Sequence, residues 1–196
     1  MITPQIDNSW LRRVGPGAVS DSSFGCMLIR RPLIVDERGS LERLFAADEL
    51  ADAGVVAEAV HINLTRTAKC GTVKGFHLQR APHAETKIIT CIVGRIFDVA
   101  VDLRPVSKTY GHWFGIELSP EEPQSLLIPE GFAHGMQSLE SDSIVHYVHS
   151  AAYAPTAEAG VHPLDPDLAV LWPLPPQYIS LRDQSLPRLA DFGKVS

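Results

Sequence analysis

The chain has only three cysteines in 196 residues, Cys26, Cys70 and Cys91, an odd number with no CxxC spacing. That excludes a disulfide framework and a zinc ribbon, and makes reduced thiols in a cytoplasmic protein the expectation. No apolar run approaches the ~20 residues that a bilayer-spanning helix needs. The opening stretch MITPQIDNSWLRR lacks the basic segment followed by an apolar run that marks a secretory leader. Clustered cations are missing too. The 17 Lys and Arg are scattered among 23 Asp and Glu, for a formal net charge of -6, which argues against nucleic acid as a partner. Helical periodicity is scarce: before the C-terminal third only Asp48–Ala59 (DELADAGVVAEA) reads as a helix, and Gly54 interrupts it. There is no repeat, low-complexity tract or linker, because the 15 prolines and 14 glycines punctuate the whole chain. One domain is therefore expected over 1–196, with an N-terminal extension over about residues 1–30.

What remains is rich in strands. Hydrophobic residues make up 45% of the chain, and a single domain of this size buries roughly 70% of its unfolded surface. Short β-prone runs recur at Lys87–Val93, Arg95–Leu103, Trp113–Leu118, Ser125–Ile128 and Ser143–His149. Within Arg95–Leu103, Ile96, Asp98, Ala100 and Asp102 alternate with Phe97, Val99, Val101 and Leu103, which predicts one polar and one apolar side. Val93-Gly94-Arg95 reads as a tight connection, and Pro129-Glu130-Gly131 as a type II turn with Gly at the positive-φ position. Many short strands with few helices point to an all-β sandwich or jelly-roll barrel. The Pro-rich tail from Pro163 carries enough Leu, Val and Trp to pack back onto that body.

Eight histidines raise the question of a metal. His77-x-Gln79, Glu85 and Gly94, followed by Pro129-x-Gly131-x2-His134, are similar to the two motifs of the cupin jelly roll. In that fold an HxH pair, a Glu and a later His bind a metal. Here Gln79 replaces the second His and Glu85 lies beyond the usual interval, so the cupin-type barrel with a few short peripheral helices is expected without its metal. His77, Lys87, Asp98, His134, His146, Tyr147, His149 and Tyr153 all fall in or beside predicted strands. A barrel mouth lined this way suits a small-molecule site.

Longer matches follow. DERGSLERLF (36–45), GTVKGFHLQ (71–79), GRIFDVAVDLRPVSKTYGHWFGIELS (94–119), LLIPEGFAHGMQS (126–138), Tyr147, YAP (153–155) and ISLRD (179–183) resemble the dTDP-4-dehydrorhamnose 3,5-epimerases, in order and with nearly constant gaps. The resemblance implies a homodimeric jelly roll that needs no cofactor. It would invert C3, C5 or both of a nucleotide-linked 4-keto-6-deoxyhexose in deoxysugar biosynthesis. The chemistry is consistent: a C4 ketone acidifies its neighbouring C–H bonds, and inversion needs a base, an orienting group, an acid on the other face and charge for the enolate oxygen.

The resemblance places His77 as base, Asp183 as its partner carboxylate, Tyr147 as acid and Lys87 at the enolate oxygen. Asp165 is the competing carboxylate, though it reads as a turn residue. Arg38, Asn63, Lys74, Gln79, Asp98, His134, Tyr153, Glu158 and Arg182 are the implied binding positions, Arg38 for a diphosphate and Tyr153 for the base, most simply thymine. Departures from the family pattern fall at Leu41, Arg43, His61, Lys74, Leu78 and Arg182, so the binding set has drifted more than the catalytic one. Two other functions stay open at this point. One is a sugar-nucleotide-binding cupin without catalysis; the other is a metal-dependent cupin using His77, Gln79, Glu85 and His134.

Overall fold

The computed structural model describes residues 11–14, 24–52, 54–55 and 58–194. The N-terminal extension expected over about 1–30 therefore falls largely outside the described residues, but its end does not. Strands β1 (Leu11–Val14) and β2 (Cys26–Arg30) are paired members of a sheet, and Cys26 and Leu28 are core residues.

Eleven of the strands form two antiparallel sheets. The six-stranded sheet runs β1-β2-β10-β7-β12-β5, with β5 His61–Thr67, β7 Lys87–Val93, β10 Gln124–Ile128 and β12 Ser143–His149. The five-stranded sheet runs β13-β6-β11-β8-β9, with β6 Val73–Gln79, β8 Ile96–Asp102, β9 Trp113–Leu118, β11 Phe132–Ser138 and β13 Glu158–Gly160. The remaining two, β3 (Leu33–Asp36) and β4 (Gly39–Glu42), make a separate hairpin. This is the expected jelly-roll barrel. The strand runs read from sequence match β7, β9 and β12 residue for residue, and β8 and β10 to within a residue at each end.

The barrel interior joins side chains from both sheets: Leu28, Ile89, Leu126, Val145 and Tyr147 from one, Ile96, Ala100, Leu118, Phe132 and Met136 from the other. Strand β8 departs from the expected polar-and-apolar division. Asp98 points inward among Ile96 and Ala100, while Phe97, Val99, Val101 and Leu103 are covered by Leu168, Trp172, Leu189 and Phe192 of the tail. Both faces are buried because the C-terminal segment does return to the barrel, with Trp172 stacked on Phe76 at 5.7 Å. The helix expected over Asp48–Ala59 is shorter: α1 spans Ala47–Asp52, and Gly54, at φ +77, lies beyond its end. At Gly131, φ +81, the turn into β11 forms as expected, with the Phe132 N–H donating to the Pro129 carbonyl.

Where β6 meets β11, the ladder slips between His134 and Met136. A Cβ at Gly75 (φ +114) would stand 2.5 Å from Gly135 Cα and 2.7 Å from the His134 carbonyl oxygen. Both neighbours are backbone and cannot step aside. Gly75→Ala is therefore expected to cost about 2 kcal/mol or more, lowering the melting temperature by roughly 4–8 °C for a chain of this size. Calorimetry checks it, and an unchanged melting temperature contradicts it.

Candidate active site

A cavity of about 470 Å³ opens between the sheets. Its lining comes from β6, β11 and β13 of one sheet (Lys74, His77, Gln79, His134, Glu158), from β5, β7 and β12 of the other (Asn63, Lys87, Tyr147, His149), from Tyr153 after β12 and from the returning tail (Arg182, Asp183). Eleven of the thirteen residues expected at a site thus line one cavity, including all four expected to be catalytic.

His77 and Asp183 are 106 positions apart in sequence, yet His77 Nε2 lies 2.8 Å from Asp183 Oδ1. The local fold explains the contact. Asp183 sits in the short helix α2 (Leu181–Gln184), capped by Ser180, whose hydroxyl accepts from the Asp183 N–H. The second carboxylate oxygen accepts from the Gly75 N–H at 3.1 Å. Upstream, Gln177 pairs with Gly71 and Val73 through backbone hydrogen bonds and so clips the tail to the start of β6. Burial alone would raise the Asp183 carboxyl. The hydrogen bond and charge of His77, with the Gly75 and Ser180 contacts, outweigh it and hold the group below the usual aspartate range. An ionised carboxylate only accepts, so Nε2 must carry the imidazole proton and Nδ1 keeps a free lone pair.

Tyr147 stands on the facing sheet. Its phenol is buried, and burial, aided by the charge of Asp98, raises it far above the ordinary phenol range, so it stays protonated. His134 meets its ring edge-on at 5.8 Å and His149 stacks on it at 5.9 Å. Lys87 Nζ bonds Glu85 Oε1 at 2.9 Å and approaches the His77 carbonyl oxygen at 3.5 Å. The arrangement offers an oriented imidazole on one wall, a phenol on the other and an ammonium between sheets. Those are the parts for moving a proton off one face of a carbon acid and returning it to the other.

Two expected binding residues are not in the lining. Arg38 lies at the tip of the β3–β4 hairpin, 84% exposed, with its guanidinium on Asp36. Asp98 lies behind His134, fully buried, and holds that ring's Nε2 at 2.6 Å; its other oxygen, Oδ2, has no hydrogen-bond partner among the described residues. Asp98 thus orients a cavity histidine without lining the cavity itself. Gln79 reaches the wall, but its amide is committed to the backbone of His83, Ala152 and Ala154. Both ends of the Gln79 amide are thus engaged by backbone, which disfavours it as a metal ligand beside His77, Glu85 and His134. Among the described residues no group of three His, Cys, Asp or Glu is placed to hold an ion. Asp165 is indeed a turn residue, accepting from the N–H groups of Asp167, Leu168 and Leu189.

The sequence assigns His149 no role beyond a place in a predicted strand, and weighs Glu85 only as a metal ligand, yet both line the cavity and Glu85 bonds Lys87 and His149. The alternation of β12 was the available signal, since His149 follows Tyr147 by two positions and must share its face. Lys74 bonds Thr67 Oγ1 at 2.9 Å, with its ammonium pKa lowered by burial and only partly restored by Asp183. At the rim Glu158 joins Arg182 to the Tyr153 hydroxyl.

The family model described as dTDP-4-dehydrorhamnose 3,5-epimerase matches residues 23–191. A dTDP-4-dehydrorhamnose 3,5-epimerase of Sinorhizobium fredii is 37% identical over 169 residues, covering 84% of this chain and 85% of that protein. A dTDP-4-dehydrorhamnose 3-epimerase of Streptomyces niveus is 37% identical over 157 residues, covering 80% and 75%. The crystal structure of dTDP-6-deoxy-D-glucose-3,5-epimerase from Legionella pneumophila, in complex with dTDP-4-keto-L-rhamnose, superposes with a TM-score of 0.83 at 31% identity, covering 92% of each chain.

The depressed Asp183 carboxyl fixes a sign for stability. Its contribution is present above the unfolded aspartate value, about 3.9, and is lost as pH falls below that through the folded value. Urea titrations should therefore show Asp183→Asn less stable than wild type at about pH 7, with the gap narrowing as the solution is acidified. A gap independent of pH contradicts the assignment.

Proposed function

The chain belongs to the dTDP-4-dehydrorhamnose 3,5-epimerase family, and from that premise we propose that its cavity epimerises a nucleotide-linked 4-keto-6-deoxyhexose with His77 as base and Tyr147 as acid. It is an isomerase of deoxysugar biosynthesis. The His77–Asp183 contact carries the assignment of residues, because it leaves a basic nitrogen free in the cavity.

In this reading His77 Nδ1 takes the proton from a carbon beside the C4 ketone. The C–H electron pair becomes the enolate, and the imidazolium is held by Asp183. Lys87 balances the charge gathering on the C4 oxygen. Tyr147 then gives its proton to the opposite face of the same carbon, and the centre is inverted. Solvent removes the proton from His77 and restores the one on Tyr147, so nothing is oxidised or reduced. His134, held by Asp98, supports the sugar. Asn63, Lys74, Tyr153, Glu158 and Arg182 face the nucleotide, which is most simply dTDP, the nucleotide of the ligand in the Legionella structure. The named relatives include both a 3,5- and a 3-epimerase, and the reading covers inversion at either centre or both.

Two observations favour a homodimer. The β3–β4 hairpin exposes Leu33, Ile34, Val35 and Leu41, and edge strand β5 exposes Ile62 and Leu64. Apolar strands left open in this way call for a partner. A second copy would cover them and would bring Arg38, which in its own chain bonds only its hairpin neighbour Asp36 among the described residues, to the neighbouring cavity.

His77→Ala is expected to lower wash-in of solvent deuterium into a dTDP-linked 4-keto-6-deoxyhexose by roughly 10²–10⁴-fold, read by NMR. Tyr147→Phe should keep exchange at one face while losing net inversion. Wild-type exchange in the first variant, or normal inversion in the second, sinks the assignment. In sedimentation runs the wild type should behave as a dimer and Val35→Asp as a monomer; a monomeric wild type refutes the interface.

A further inference from the structure

Glu85 stands in the connection between β6 and β7, with its side chain 8% exposed. Each of its oxygens is engaged by a cavity residue: Oε1 by Lys87 Nζ at 2.9 Å and Oε2 by His149 Nδ1 at 2.9 Å. Lys87 and His149 are register partners on neighbouring strands, so their side chains leave the same sheet face side by side. From there the two lead to different parts of the proposed chemistry. Lys87 reaches toward the His77 backbone, and the His149 ring lies on that of Tyr147, 15° from parallel. Burial would raise the Glu85 carboxyl, yet the His149 hydrogen bond and the Lys87 charge hold it below the ordinary glutamate range. A buried carboxylate is costly unless its partners compensate it, and here both partners are groups of the site.

Resting on the epimerase reading above, we propose that Glu85 is a positioning residue for both halves of the reaction, fixing the Lys87 ammonium at the enolate side and the His149 ring that backs Tyr147. A lysine has a long flexible stem and a compact charge, so it stabilises a developing oxyanion only where something selects its rotamer. A phenol that must meet one face of a carbon needs its ring plane held. One carboxylate does both, and it links abstraction to reprotonation through the two side chains that it holds.

The test separates the two half-reactions. Glu85→Gln keeps the volume and removes the charge. It is expected to lower kcat for deuterium wash-in about 10-fold or more, with KM changed less than about 2-fold. Inversion should fall further than exchange. Glu85→Asp should recover part of both, which a role in packing alone would not produce. His149→Phe keeps a ring against Tyr147 but cuts the link to Glu85, and it should lower inversion more than wash-in. This variant decides the matter if Glu85→Gln does not fold. Wild-type kcat for both half-reactions in Glu85→Gln, a loss confined to KM, or an unaltered ratio of inversion to exchange in His149→Phe overturns the proposal. Absence of wash-in by the unsubstituted protein is a separate result, and it overturns the epimerase reading together with what rests on it.

Discussion

The contact between the His77 imidazole and the Asp183 carboxylate organises the rest of the structure. It joins the middle of a barrel strand to the end of the chain, so the tail has to return. That return is built from ordinary forces. Trp172, Leu189 and Phe192 cover the outer face of the five-stranded sheet, and the Gln177 backbone is bonded to β6. The Ser180 cap then turns α2 so that Asp183 meets both the ring of His77 and the N–H of Gly75. Apolar burial supplies the driving force; the hydrogen bonds supply the register.

A second regularity runs around the cavity. Four of the groups on its inner wall have a buried carboxylate behind them: Asp183 behind His77, Asp98 behind His134, and Glu85 behind Lys87 and His149. Groups in a low-dielectric site need such partners to be tolerated. The same partners hold them in place before substrate arrives, so little reorganisation remains for the reaction itself. Tyr147 differs, because its buried hydroxyl meets neutral groups, the Met136 sulfur at 3.9 Å and the nearby Thr65 side chain. A phenol so weakly engaged keeps its proton until a stronger base, such as an enolate carbon, appears.

Much of the barrel was legible because β-strand alternation is a local property. β7, β9 and β12 could be read from their own residues, and Gly131 announced its turn through a conformation other residues avoid. The errors arose where a distant segment intervened. Strand β8 looked half-solvated until the tail covered it, and the helix ended at Asp52 because the chain turns there, ahead of Gly54. The site behaved likewise. Resemblance singled out His77, Asp183, Tyr147 and Lys87, which line one cavity, whereas no spacing rule reveals that Glu85 and His149, 64 positions apart, share a hydrogen bond. Arg38 shows the reverse case, a residue matched by motif that its own chain keeps away from the cavity.

The tautomer of one ring tests the account most directly. ¹⁵N NMR of the His77 imidazole in the substrate-free protein, near neutral pH, should find Nε2 protonated and bonded to Asp183, with Nδ1 bare as the nitrogen that receives the carbon-bound proton. A ring protonated at Nδ1, with Nε2 free of the carboxylate, would contradict it.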